Sequence, residues 1–424
     1  MMIRTWQRDL NDWLCGTRAR WIAFWIWLGT LIVISVAVWR TAATPDPKDD
    51  RTVTTNYRIA AEHFWSSQPM YSEGQHGWLY PPQGAVVYSP FALIPSVPLG
   101  EVLWRIVITA LYAWALWKLS SLNARLIRGR DVLAQPSTTA TTGGIFLLLT
   151  AGSIALAAGC MRNGQMNLPL GAMFILAGVA IAEKKWWPAA LWMGLSVAAK
   201  PIAVPVVMVM GAIVPRLWSR LAIVMLGVLA LPYINPDWGY VTQQYQAAIA
   251  KMREAGEPGA GVFSELNGML RMLPLLGSGD RSAPDPIGPG AMTLIRAGAG
   301  LVTLVLSALA LWRISSRDLA LLLILTLCIC YLMLFNPRTE GNSYVMLAPL
   351  IAAWVATLWI SRRGIALIGI AALILLASAH EFHKDKLKTV WVRPLIAAVT
   401  MAAAGWSIAR DARALSRTSR STAK

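Results

Sequence analysis

The sequence predicts an all-α polytopic membrane protein: a bundle of about 12 transmembrane helices in a single integral domain over residues 1–424. Three observations carry this reading. Hydrophobic residues make up 56% of the chain and charged residues 14%, with a mean hydropathy of +0.52, whereas soluble domains carry about a quarter charged residues. Apolar runs long enough for a bilayer recur from end to end. Lys and Arg gather between those runs, as basic loops held on one side of a membrane do.

A basic lead over residues 1–20 reads as cytoplasmic. The first run, 21–39, lacks a small-residue cleavage site and reads as a retained anchor. Residues 41–97 form a first outer loop with short interfacial helices. In it, Tyr57, Ala60, Ala61 and Phe64 share one side of a predicted amphipathic helix, with Arg58 and Glu62 four apart on another. The stretch holding Trp78, Tyr80, Pro81, Pro82, Tyr88 and Phe91 reads as an aromatic, proline-punctuated loop at the water–lipid boundary. Runs over 99–117 and 144–160 follow, and the polar turn 162–165 leads into a run ending before Glu183. Residues 186–215 are apolar but broken at Lys200, Pro201 and Pro205. Proline removes a helical hydrogen bond and a lysine is costly in lipid, so two short helices meet tip to tip at Lys200. After a run over 221–231, a polar second outer loop spans 235–290, with a helix over 240–253. Runs over 291–312, 319–335, 344–360, 364–379 and 392–408 precede a basic cytoplasmic tail, 410–424.

Twelve spans place both termini in the cytoplasm of a cell whose inner or plasma membrane holds the chain. The clusters at Arg125–Arg130, Lys184/Lys185, Arg216/Arg220, Arg313/Arg317 and Arg362/Arg363 then fall inside. Both long loops, the turn 162–165, Lys200, and the turns 336–343 and 380–388 fall outside, facing the periplasm or exterior. The polar features that topology leaves unexplained converge on that outer face. The net charge of +17 therefore encodes orientation among membrane lipids, and no nucleic-acid partner is expected. The 21 tryptophans, many near predicted span ends, suit an interfacial belt. Neither the four cysteines nor the four histidines have metal-ligand spacing, and no phosphate-cradling glycine motif is present, so neither metal nor other cofactor is expected.

Lys200, a compact point charge beside a helix break, either suits a phosphate at a cavity wall or snorkels to the outer interface. Arg162 and Gln165 on the short turn suit a phosphate or sugar hydroxyls. Arg338 pairs either with Glu340 or with a substrate phosphate, to which its planar fork offers two bonds. Tyr80 of the aromatic stretch joins this candidate set. Asp46, Asp49 and Asp50 follow the first run, where a carboxylate is placed to act as a general base; a solvated acidic run balanced by Lys48 and Arg51 is the plainer reading.

Six segments, in order, carry a resemblance: YRIAAEHFWSSQPMY, LYPPQGAVVYSPFALIP, RNGQMNLPLGAMFILAG, AALWMGLSVAAKPIAVP, FSELNGMLRML and NPRTEGNSYVMLAPL. With them the chain resembles the glycosyltransferase family 87 membrane proteins, which include polyprenyl-phosphate-mannose-dependent α-mannosyltransferases. The resemblance implies a GT-C fold with an outer-face active site. It further implies inverting transfer of a sugar, mannose in the mannosyltransferases, from a polyprenyl-phosphate donor to a lipid or glycan acceptor in the cell envelope. Two positions depart from the family pattern. Its aspartate before the Tyr-x-x-Ala-Ala helix is absent from 51–56, leaving Asp50 as the nearest upstream acid and the candidate catalytic base. Ser343 stands where many members carry histidine. Lys200 and Gln165 are retained. The alternative is a non-catalytic transporter or flippase of lipid-linked sugars, which keeps the cavity without the base.

Overall fold

The computed structural model describes residues 18–43, 52–72, 77–128, 138–256, 263–273, 284–360, 366–378 and 390–421. In chain order the helices are α1 (Arg18–Ala43), α2 (Thr54–Trp65), α3 (Pro82–Ala92), α4 (Val97–Arg128), α5 (Thr138–Asn163), α6 (Asn167–Ala182), α7 (Trp186–Ala199) and α8 (Val204–Ile213). They continue as α9 (Trp218–Ala230), α10 (Trp238–Gly256), α11 (Leu266–Met272), α12 (Pro289–Arg313), α13 (Arg317–Phe335), α14 (Ala348–Ile360), α15 (Ala366–Ser378) and α16 (Val392–Ser421). Among the described residues there is no strand.

Eight helical stretches among the described residues are long and apolar enough to cross a membrane, and three further apolar helices have 10–17 residues. Two of the short ones fall where the sequence places breakers or where protein replaces lipid. Pro201 and Pro205 divide the run after α7. Helix α6 is buried at every position from Asn167 to Ile181, so neighbouring helices surround it. Helix α13 is apolar on all sides and 83% buried over its most apolar window, against 17% for α12, as expected of a central helix beside a lipid-facing one. Helix α4 packs on α1, α5 and α6; α6 packs on α7 and α13; α12 and α16 flank α13.

Ion pairs show which helix ends lie together. Arg125, near the end of α4, donates from Nε to Asp318 at the start of α13 (3.0 Å) and stands 3.7 Å from Glu183, just past α6. At their other ends, α6 begins beside the turn 162–166 and α13 runs into Asn336–Glu340. Helices of this length separate the two sides by roughly 25 Å.

The outer-loop helix predicted from Tyr57, Ala60, Ala61 and Phe64 is α2, with all four residues buried and the helix packed on α3. Arg58 stands 3.9 Å from Glu62 and also donates to the carbonyls of Ala92 and Phe91, capping the end of α3. The reading of the stretch from Trp78 to Phe91 as a loop is corrected in its second half, because Pro82–Ala92 is helical. Pro82 sits in the first turn, where its missing N–H has no intrahelical partner to lose and its fixed φ suits the helix. The helix expected over 240–253 is α10. Its Tyr240 donates to Gln68 O (2.7 Å), and its Gln244 accepts from Met70 N (3.1 Å), so the two long loops are joined.

Candidate active site

Helix α7 ends at Lys200, whose backbone is extended (φ −157°, ψ 127°). Its amide still donates to Ser196 O (3.0 Å), but Pro201 has no N–H with which to continue the ladder. The extended residue turns the lysine side chain toward the start of α6. There Nζ donates to Asn167 Oδ1 (2.8 Å) and lies 5.8 Å from the centroid of the Tyr80 ring.

A hydrogen-bonded chain runs on from Asn167. Its amide nitrogen faces Gln165 Oε1 and Ser343 Oγ, each at 3.3 Å. Gln165 in turn donates from Nε2 to Glu340 Oε2 (2.9 Å). Gln165 and Asn167 are buried and Glu340 is exposed, so the chain leads from the protein interior to a carboxylate open to solvent. Cys160 donates to Asn342 O (3.2 Å) and tethers the same turn from α5. On the other flank, Tyr57 and Tyr80 share a hydrogen bond between hydroxyls (3.0 Å), and Tyr57 Oη accepts from Met166 N (3.3 Å). Burial, followed by the neighbouring Tyr80, raises the Tyr57 pKa well above the usual phenol value, so its proton stays on the ring oxygen. Trp78, Tyr80 and Tyr88 pack edge-on around Tyr57, with centroids 5.7, 5.4 and 5.4 Å from it.

A buried ionic cluster holds the turn 162–165 in place. Glu101 and Arg105, one turn apart on α4, pair directly, and Thr54 Oγ1 donates to Glu101 Oε2 (2.7 Å). Arg105 Nη2 reaches Arg162 O (3.2 Å), Trp104 Nε1 donates to Gly164 O (2.9 Å), and Val53 N donates to Asn163 O (3.1 Å). Gly164 has φ +65°, and a Cβ there would collide with Thr54 Cγ2 and crowd Arg105, so glycine is required both for conformation and for space.

The structure thus brings together Lys200, Gln165, Glu340 and Tyr80 from the expected set. Arg162 contributes its carbonyl to the anchor, and its side chain is exposed. The guanidinium of Arg338 lies 5.7 Å from the Phe263 ring centroid, while the Glu340 carboxylate is engaged by Gln165. Asp50, with Asp46 and Asp49, lies outside the described residues. Asn167, Tyr57 and Ser343 are members that the candidate set lacked. Among the described residues no group of His, Cys, Asp or Glu is placed to hold a metal ion.

Residues 78–337, more than half of the chain, match the family model of glycosyltransferase family 87. The chain belongs to glycosyltransferase family 87. No curated protein matches it. The family 87 match contains Trp78, Tyr80, Gln165, Asn167 and Lys200, and stops just short of Glu340 and Ser343. The cationic half of the network thus lies within the matched region, and the carboxylate half follows it.

Proposed function

We propose that this family 87 glycosyltransferase moves one sugar, mannose by the resemblance, from a polyprenyl-phosphate donor to a hydroxyl of a lipid or glycan acceptor at the outer face, with inversion at the anomeric carbon. The observation that carries the proposal is the Lys200–Asn167–Gln165–Glu340 chain, which links an ammonium at a helix break to a solvent-open carboxylate. In the step itself, the acceptor oxygen forms a bond to the anomeric carbon as the bond from that carbon to the donor phosphate oxygen breaks. The acceptor proton passes to a carboxylate, and the departing phosphate carries the electron pair. Lys200 neutralises the charge that grows on that phosphate, as a donor aimed at developing charge should. Asn167 holds the ammonium in position, and Gln165 does the same for one oxygen of Glu340.

Two carboxylates compete for the role of base. Asp50 is the acid nearest to the family position. Glu340 is the carboxylate that belongs to the network, and its second oxygen has no protein partner among the described residues. We assign the base to Glu340. Outer-face placement is supported by the separation of the network from the side bearing Arg125, Lys184, Lys185, Arg216, Arg220 and Arg317, the basic side expected in the cytoplasm.

The decisive experiment incubates purified protein with radiolabelled polyprenyl-phosphate sugars and membrane acceptors. Transfer of label to the acceptor is the expected result, and movement of donor across vesicles without transfer would support a flippase instead. Cysteines placed at Ser72 and Ser137 test the orientation: an impermeant reagent should label the first in intact cells and spare the second.

A further inference from the structure

The basic side of the bundle has a chemistry of its own. Arg216, in the 3-10 turn Pro215–Leu217, places its guanidinium 5.7 Å from the centroid of the Trp186 ring. Arg317, the first residue of α13, places its own 5.3 Å from the same centroid. Arg220, in the first turn of α9, stands 5.7 Å from the Trp187 centroid and donates to Arg216 O (2.7 Å). Two adjacent indoles at the start of α7 thus gather three arginines from three separate elements.

Each indole face attracts a guanidinium, but two cations over one ring also repel each other. Among the described residues none of the three arginines forms an ion pair. The acids of neighbouring elements are engaged elsewhere, Asp318 with Arg125 (3.0 Å) and Glu183 with Lys185 (2.7 Å). Among the described residues the buried Nε atoms of Arg220 and Arg317 have no hydrogen-bond partner. Charge and hydrogen-bond donors are therefore in excess where an anion would complete both. The 14 residues of α7 separate this cluster from Lys200 by roughly 20 Å, which sets it apart from the proposed transfer site. On α9, Ile223 (56% exposed) and Leu226 (67% exposed) follow Arg220 by three and six residues and continue the cationic patch into an apolar surface. A charged head followed by an apolar strip matches a lipid rather than a free ion.

We propose that Arg216, Arg220 and Arg317 bind the phosphate of an anionic phospholipid headgroup in the leaflet opposite the Lys200 site, with Trp186 and Trp187 as the platform. The guanidinium fork suits phosphate oxygens, and indoles are favoured where aromatic rings meet headgroups. This site does not depend on the glycosyl-transfer reading.

The test uses the full chain in phosphatidylcholine nanodiscs, titrated with phosphatidylglycerol, with bound lipid counted by native mass spectrometry. The double variant Arg216→Gln/Arg317→Gln should raise the apparent dissociation constant roughly thirtyfold, the loss expected for two headgroup-facing charges. Arg313→Gln, which removes an exposed arginine stacked over its own neighbour Trp312, should leave it unchanged. Inorganic phosphate at the same concentration should fail to displace the lipid. Parent-like binding by the double variant would overturn the proposal, as would an equal loss in Arg313→Gln or displacement by inorganic phosphate. If the double variant does not fold, Arg220→Gln decides: weaker binding supports the site and parent-like binding rejects it.

Discussion

Lys200 Nζ and Asn167 Oδ1 lie 2.8 Å apart, joining the tip of one broken helix to the first turn of the most deeply enclosed one. The contact aims a positive charge without neutralising it, because an amide oxygen carries no net charge. Lys200→Ala should weaken binding of the proposed polyprenyl-phosphate donor by about tenfold to a hundredfold, the range for losing a hydrogen bond to a charged group. Lys200→Arg should recover only part of this, since the fork is bulkier than the ammonium. Donor titration of the purified variants measures both effects, and full affinity in Lys200→Ala would remove the lysine from the site.

Glu340 and Asp50 can be separated by turnover. A positioned base contributes typically 10²–10⁴-fold, so Glu340→Gln should lower kcat by at least about a hundredfold with donor affinity nearly unchanged. Asp50→Asn should retain most of the parent activity. The reverse pattern in single-turnover transfer assays would return the role to Asp50.

The Glu101–Arg105 pair makes a prediction about stability. Both side chains are buried, and Thr54, Gly164 and the carbonyl of Arg162 are arranged around them. Glu101→Gln leaves Arg105 uncompensated, which should cost about 3–5 kcal/mol. Thermal unfolding in detergent should show a large fall in Tm. Gly164→Ala should fall in the same direction, because it adds strain at φ +65° to a collision with Thr54.

Glu265 links stability to pH. It caps α11, its carboxylate accepting from the amides of Asn267 (2.9 Å) and Gly268 (2.8 Å), yet burial outweighs these bonds and raises its pKa above 4.5. A carboxyl whose folded pKa exceeds its unfolded one binds its proton more tightly when folded. Its stabilising contribution is full below the unfolded value and is lost as pH rises through the folded one. Melting temperature followed upward from about pH 4.5 should therefore contain a declining component in the parent that is missing in Glu265→Gln.

Much of this architecture was legible because lipid punishes polar atoms. Lys200 inside an apolar run, and the polar turns at Gln165 and Glu340, stand out against a background in which such residues are costly. The break at Lys200 and the buried face of α2 follow from proline chemistry and helical spacing. Asn167 was hidden because a polar residue in a helix's first turn reads as a local cap. Its partner Lys200 is 33 residues away. Glu101 and Arg105 read as an ordinary pair one helical turn apart, and only packing shows that they are enclosed. Among the described residues eight long helices stand beside the expected 12 spans, and buried helices such as α6 need not match the bilayer in length. The stretch after Pro82 reads as a loop in sequence yet folds as a helix, because proline marks a helix's first turn as readily as a loop.

The hydrogen bond between Gln165 and Glu340 also has a bearing on how the chain is made. It joins positions 175 residues apart, and Lys200, Asn167, Tyr80 and Tyr57 all precede Glu340 in the sequence. During synthesis the cationic half of the network emerges first and waits, without its carboxylate, until α13 has entered the bilayer. A ribosome-stalled or prematurely terminated product ending before residue 340 would keep the helix break at Lys200 but hold an unfinished site. With the base assigned to Glu340 as proposed, transfer would begin only once the late helices have been delivered.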